Sequence, residues 1–409
     1  MSERSYGIYL NDTLVGWLAE SPDGRVGLRF ADSYRDLPSR PVLSQSFEDD
    51  LERTYWSKRP GSLPGFFANL LPEGPLRVLL EGNLGVAPSD DLGLLAAVGG
   101  DLPGALSLIA SELPAALASP PTEALEREGE SRPAVEGLRF SLAGVQMKFS
   151  MVRGERFSLP AHDQRGDWIV KIGSNDYPGL AENEYAMLQW AVEAGFDVPE
   201  FLFLHPDQLG ALRAYIPPEA NAFAIRRYDR SHGKRIHQED FAQATGILPE
   251  RKYDFTYEQL ALLVRAIVGE EGYAEFLRRL ALALAIGNHD AHLKNWSLLY
   301  RDGITPELTP VYDQVSTIAW PQVSRELGLK LGGTRDPGRV STDSFRHLAR
   351  KAKADPEQAV SIVRETLARL REVWMQVQAR AILHEAHAQA LRDYWARTPL
   401  LRDIGELPL

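Results

Sequence analysis

The stretch GNHDAHLKN, residues 287–295, decides how this chain is read. It follows LALALAI (280–286), an apolar run that reads as the end of a buried helix. A chain that has just built core then places an Asp, two His, a Lys and two Asn within nine residues. Carboxylate, imidazole and amide groups are costly near a core unless they are paired. They are also what phosphoryl transfer or metal binding needs. Asp290 and Asn295 form D-x-x-x-x-N, and His292 between them makes it D-x-H-x-x-N. Transfer of a phosphoryl group to a hydroxyl needs a carboxylate near the attacking oxygen and an oxygen ligand for Mg²⁺ close by. Two other readings stand beside this one. Asp290 can cap the next element of a polar loop, or His289 and His292 can belong to a zinc site that still lacks a third ligand.

Working outward, a phosphoryl-transfer reading demands partners in a set order. LTPVYD (308–313) places Asp313 at the end of an apolar run, where it can share Mg²⁺ with Asn295 or simply end a strand. Upstream, Lys171 interrupts WIVKI, and an ammonium there wants a partner. Glu184 on the following helix is the expected partner, with Glu182 as its rival; an edge-strand lysine facing water is the alternative. SLAGVQMK (141–148) precedes that lysine, with one Gly and Lys148, and fits neither the protein-kinase Gly-rich loop nor the Walker A pattern. AFAIRRYDR (222–230) reads as a strand that runs toward an adenine position, flanked by Arg226, Arg227 and Tyr228.

The rest of the chain frames these motifs. Residues 5–31 alternate around Asn11-Asp12 and Asp23-Gly24, the pattern of hairpins. SDDLGLLAAVGG reads as a helix capped by Ser89 or Asp90 and stopped at Gly99-Gly100. Residues 112–136 are polar, aperiodic and rich in Pro, Ala and Glu, and read as a linker. Strands follow, then the helix 181–195 with Gly195 as its stop, then more strands. From Thr256 the chain turns helical, as YEQLALLVRAIV and then YAEFLRRLALALAI. Past residue 340 it is almost all amphipathic helix, through RETLARLREVWMQVQARAIL to ALRDYWARTPLL. The expected organisation is residues 1–111 as an N-terminal subdomain, 112–136 as linker, 137–230 as a β-rich small lobe and 231–409 as a helical lobe. A β-rich lobe followed by a helical one is the order of protein-kinase-type folds.

The 409 residues carry 56 acidic against 45 basic side chains, a net charge of −11, which argues against a protein that coats nucleic acid by itself. There is no cysteine, which removes disulfides, Cys-ligated zinc and iron–sulfur clusters. The start, MSERSYGIYL, lacks a signal layout, and the run 280–286 is too short to span a bilayer, so a cytoplasmic location is expected.

Taken in order, SLAGVQMK, NEYAMLQWA, RRYDR, HQEDFAQATG (237–246), NHDAHLKN and LTPVYD resemble the HipA family of serine/threonine kinases, the toxins of HipA–HipB-type toxin–antitoxin modules. PGSLPGFFANLLPEG (60–74) with LLAAVGGDLPGAL (94–106) resembles that family's N-terminal subdomain. The resemblance implies an α+β, bilobal protein-kinase-like fold of the phosphoinositide-kinase type. It implies Asp290 as the base, and Asn295 and Asp313 as holders of Mg²⁺. Lys171 would contact the ATP phosphates, oriented by Glu184. Ala143, Gly144, Val145, Gln146, Met147 and Lys148 would form the phosphate loop. Arg226, Arg227 and Tyr228 would lie against adenine, while His292, Leu293, Lys294, Asn295 and Tyr312 would line the nucleotide site. Ser141 matches the family's autophosphorylation serine, and a phosphate there would add about −1.5 to −2 charges beside an anionic nucleotide. The implied partners are a helix-turn-helix antitoxin dimer, operator DNA held mainly through it, and a protein substrate of the translation machinery such as an aminoacyl-tRNA synthetase. A non-catalytic corepressor and a small-molecule or lipid kinase are the competing readings, since D-x-H-x-x-N is also the loop pattern of phosphoinositide-type kinases.

Overall fold

A computed structural model describes residues 4–113, 148–154, 157–158, 166–210 and 220–408. The linker expected at 112–136, Ser141 and Ala143 to Met147 therefore lie outside the described residues, apart from 112–113. The chain divides into two compact units. The first takes residues 1–139 together with 229–252 and 297–306; the second takes 140–228, 253–296 and 307–409.

The first unit is built on β1 (Ser5–Leu10), β2 (Thr13–Glu20), β3 (Val26–Phe30), β4 (Tyr55–Trp56) and β5 (Leu106–Ala110). They form one antiparallel sheet in the order β4-β3-β2-β1-β5. The two-residue turn at Asn11-Asp12 joins β1 to β2, with Asn11 at a φ of 50°, which Asn tolerates better than most residues. Ile8, Leu10, Val15, Leu18 and Leu28 are buried in one cluster with Phe66, Phe67 and Leu94. The helix α1 (Asp91–Val98) starts at Asp90, whose carboxylate accepts from Gly93 N, and ends at Gly99.

Residues 229–252 join this unit through buried charge. The Arg235 guanidinium donates to three backbone oxygens, of Leu102 (2.8 Å), Gly104 (2.8 Å) and Leu106 (2.6 Å). The Glu239 carboxylate, 0% exposed, accepts from Ser44 Oγ (2.5 Å), the Gln45 amide (3.0 Å) and the Tyr300 hydroxyl (2.6 Å). Burial pushes its pKa up to about 7 against the pull of those donors.

In the second unit β6 (Lys148–Arg153), β7 (Phe157–Ser158), β8 (Trp168–Ile172), β9 (Phe201–Leu204) and β10 (Ala222–Arg226) make a second antiparallel sheet, in the order β7-β6-β8-β10-β9. Trp168, Val170 and Ile172 share one face and enter a core with Met151, Leu204 and Ala224. The two-residue period then turns Lys171 to the other face, the side packed by α2 (Leu180–Glu193). α2 stops as expected at Gly195, at φ 94°, with Phe196 N donating back to Ala191 O (3.0 Å).

The helical part opens with α3 (Tyr257–Ala285), capped by Thr256 and broken at Gly269 (φ 84°, ψ −167°) between the two expected segments. Then come α4 (Thr342–Lys351), α5 (Pro356–Val373) and α6 (Glu385–Arg397). One expectation needs correcting here. Helix was expected to run on from 364 to 383, and instead α5 ends at Val373 and short 3₁₀ turns follow over Trp374–Gln376 and Gln378–Ile382. Tertiary contacts take over the helix's own bonds there. Trp190 Nε1 donates to Leu370 O (2.8 Å), Trp374 packs on Trp190 at 4.5 Å, and Ala379 N donates to Gln189 Oε1 (2.6 Å). Among the described residues no helix is long and apolar enough to cross a membrane.

Glu239 yields a pH test. Its folded-state pKa is raised, so its stabilising contribution is complete at low pH and is lost as pH rises through about 7. Urea unfolding from about pH 5 to about pH 8 should show a loss of order 2 kcal/mol from this group. Glu239→Gln should flatten that slope, and an unchanged slope would assign the proton elsewhere.

Candidate active site

The second unit gathers the polar residues at the end of α3. Residues 280–286 are buried, and Trp395 Nε1 on α6 caps the helix by donating to Ala285 O (2.7 Å). Gly287, at φ 66°, turns the chain; a Cβ there would meet Ile318 at 2.6 Å. The Thr317 hydroxyl pins the turn, donating to Gly287 O (3.1 Å) and accepting from His289 N (2.8 Å). Asn288 Oδ1 accepts from Asp290 N (3.2 Å), and Asn295 Oδ1 accepts from His292 N (3.0 Å). The side-chain amides of Asn288 and Asn295 therefore brace the loop from within.

Asn295 also reaches outward. Its Nδ2 donates to Asp313 Oδ2 (2.7 Å), and Asp313 Oδ1 accepts from Lys171 Nζ (2.6 Å). The same ammonium donates to Glu184 Oε1 (2.5 Å). Four side chains far apart in sequence thus form one polar chain. Of the two acids on α2, Glu184 meets the lysine, while Glu182 accepts from Asn221 (2.6 Å). Glu184 is 0% exposed and the Lys171 side chain 9%, whereas the Asp313 side chain stays 41% exposed. Asp313 has a φ of 56°, a left-handed backbone that non-glycine residues seldom adopt and that clusters at functional sites.

The charges follow from this geometry. Burial pushes the Glu184 carboxyl up to about 7, against the pull of Lys171. Burial also opposes ionisation of Asp313, but the charges of Lys171 and Lys148 outweigh it and hold that carboxyl well below its usual range. Burial lowers the Lys171 pKa, and the Asp313 and Glu184 charges more than reverse it. Lys148 stands directly opposite Lys171 in the β6–β8 register, so both lysines belong to one cluster.

Around the cluster, Tyr312 donates to Lys294 O (3.1 Å), and its ring lies 5.6 Å from that of Tyr228. Arg227 is buried and donates to Ser150 Oγ (3.3 Å), while Arg226 turns toward Glu200 at 3.5 Å. Leu293 is buried beneath the loop. His292 is buried with the Tyr253 ring edge-on at 5.0 Å. His289 packs on Tyr394 at 5.3 Å, and burial pushes its pKa down to about 4. Among the described residues no group of three or more His, Cys, Asp or Glu is placed to hold a metal ion.

One contact had no signal in the spacing. The Tyr253 hydroxyl donates to Asp290 Oδ1 at 2.5 Å. Tyr253 sits just before α3, and its carbonyl oxygen accepts from Arg335 Nη2 (2.6 Å). It is 37 residues from Asp290 in the chain, and KYDF carries no motif that would have marked it.

Family comparisons match this arrangement over both units. The family described as HipA-like C-terminal domain matches residues 140–374, and that described as HipA N-terminal domain matches 6–109. The chain belongs to the HipA family. The protein named "Putative kinase Y4dM" of Sinorhizobium fredii is 39% identical over 368 residues, 88% of either chain. The serine/threonine-protein kinase toxin HipA of Shewanella oneidensis is 26% identical over 67% of this HipA-family chain and 68% of its own. A chain of the solved Shewanella oneidensis complex of HipA, HipB and operator DNA superposes with a TM-score of 0.72 at 19% identity, covering 99% of this chain and 100% of that one. The fold is accordingly the α+β, protein-kinase-like fold of that family.

Lys171 holds two carboxylates, one of them wholly buried. Lys171→Met should cost about 3–5 kcal/mol in urea unfolding, because it strands Glu184. Lys171→Met combined with Glu184→Leu should recover much of that loss. A double variant less stable than the single one would show that the pair is not the source of the cost.

Proposed function

We propose that this chain is a Mg-ATP-dependent protein serine/threonine kinase acting as the toxin of a toxin–antitoxin module in the cytoplasm. The observation that carries the reading is the polar chain Glu184–Lys171–Asp313–Asn295 with Asp290 on the same loop as Asn295. Lys171 and Lys148 supply the positive charge that nucleotide phosphates need, and the tilted pair Tyr228 and Tyr312 supplies an aromatic wall for a purine. Asp313 fits Mg²⁺ because it is an ionised carboxylate on a side chain that is 41% exposed, an oxygen donor of the kind that ion prefers. With Asn295 it would hold the ion, which supplies charge neutralisation at the phosphates.

The acceptor hydroxyl oxygen forms the new bond to the γ-phosphorus as the bond to the ADP oxygen breaks. Its proton passes to the Asp290 carboxylate. Tyr253 fixes that carboxylate in direction by donating to Oδ1. Residues 1–111 would be the N-terminal subdomain, which residues 229–252 and 297–306 join, with 112–136 as a linker and the remainder of 137–409 as the small and helical lobes. The segment Ala143 to Lys148 would be the phosphate loop, with self-phosphorylation at Ser141 switching the enzyme off. The similarity to the complex of HipA, HipB and operator DNA supports a HipB-like antitoxin and DNA as partners; we take the antitoxin to be a helix-turn-helix dimer through which the DNA is mainly held. A net charge of −11 is in keeping with that division of labour. The substrate is a protein of the translation machinery, an aminoacyl-tRNA synthetase being the type expected.

Intact mass after incubation with Mg-ATP tests the reading. One added phosphate mapping to Ser141 is expected, and Asp290→Asn should slow its appearance by about 10²–10⁴-fold. A phosphate that forms equally fast in the variant would remove Asp290 from the role. Tyr253→Phe should lower the same rate about tenfold with nucleotide affinity unchanged, the worth of one hydrogen bond to a charged group. An equal rate in that variant would leave Tyr253 with a packing role.

A further inference from the structure

Asn183 precedes Glu184 on α2, and nothing in the phosphoryl-transfer reading uses it. It is 0% exposed, although its side chain is an amide. Its Oδ1 accepts from Ser316 N at 2.8 Å. Its Nδ2 lies 3.5 Å from Ser316 O and 3.5 Å from His387 Nδ1 on α6. One side-chain amide therefore brackets the backbone of one residue, and that residue lies three positions beyond Asp313.

The left-handed backbone of Asp313 survives only where its surroundings over-determine it. Four contacts do so. Lys171 and Asn295 hold its two carboxylate oxygens, Asn288 Nδ2 donates to its carbonyl oxygen (3.3 Å), and Asn183 fixes the chain just downstream. The contacts close a ring. From α2 it runs through Glu184 to Lys171 and Asp313, along the backbone to Ser316, and through Asn183 back to α2. Neighbouring residues of one helix turn thus hold both the lysine that faces the phosphates and the loop that carries the metal carboxylate.

We propose that Asn183 is a positioning residue that locks the Asp313 loop to α2, so that the metal-holding form of Asp313 and the Lys171–Glu184 pair are made and lost together. This rests on the nucleotide-kinase reading above. An asparagine that merely satisfied a buried amide would affect stability alone. A positioning asparagine must also affect how much Mg²⁺ adds to nucleotide binding.

The test is calorimetric titration of the full chain with the β,γ-imido analogue of ATP, once in EDTA and once in excess Mg²⁺. Two variants remove the same hydrogen bond from opposite sides. Asn183→Leu keeps the volume and loses the acceptor. Ser316→Pro loses the N–H at a φ of −73°, which the proline ring accepts. Whichever folds, as judged by its melting curve in EDTA, should lose about tenfold of the Mg²⁺-dependent gain in affinity while its affinity in EDTA stays within about twofold. Asn221→Ala, which breaks the Glu182 contact on the same helix, should keep the full gain. A wild type that gains from Mg²⁺ beside variants that gain equally overturns the inference alone. A wild type whose nucleotide affinity ignores Mg²⁺ overturns the kinase reading, and the inference with it.

Discussion

The site depends on one ammonium taken out of water. Lys171 projects from the central strand of the second sheet into space where only 9% of its side chain meets solvent, and it can be there charged only because two carboxylates meet it. Each partner sits on a different element. Glu184 belongs to α2, which packs over the sheet, and Asp313 belongs to the irregular segment after the 287–295 loop. The electrostatic need of one group thereby fixes the relative position of sheet, helix and loop. A carboxylate that is buried and another that is half exposed also divide the work. Glu184 anchors the lysine, and Asp313 keeps a face open toward solvent.

The helical part supplies rigidity to the loop that faces this ion cluster. α3 ends in a fully apolar turn, Trp395 from the C-terminal region caps it, and Thr317 clips the turn that follows. The loop's amides then satisfy one another, with Asn288 and Asn295 each accepting from a backbone N–H. Thr317 clips the same turn from outside, donating to Gly287 O and accepting from His289 N, so backbone groups near the core find partners there. His289 shows the other side of this logic: an imidazole driven to its neutral form by burial and packed on Tyr394 is part of the wall.

Much of this was legible in the chain. Hairpins at Asn11-Asp12 and Asp23-Gly24, the cap at Asp90 and the stop at Gly195 follow from local chemistry, which needs only neighbours in sequence. The break at Gly269 was visible as two separate apolar segments. The helix expected through residue 383 was not delivered, because the bonds it would have kept are replaced by Trp190 and Gln189 from a helix nearly two hundred residues earlier. The choice between Glu182 and Glu184 was open for a related reason. Two positions apart on a helix, they face opposite ways, and only the placement of the sheet decides which one looks at Lys171.

The sequence by itself determined the list of chemical groups and their order. It named Lys171, a helix glutamate, Asp290, Asn295 and Asp313: Lys171 interrupts an apolar strand, Asp313 ends an apolar run, and Asp290 and Asn295 crowd the polar loop that follows a buried helix, placements that cost free energy unless the groups are used. Tertiary structure decided who touches whom. Tyr253 on Asp290, Lys148 opposite Lys171, and Asn183 around Ser316 carry no spacing signal, since each joins elements brought together only by packing. The left-handed backbone of Asp313 belongs to the same class. A strained residue is stable only inside a finished set of contacts, and that set exists only in the folded chain.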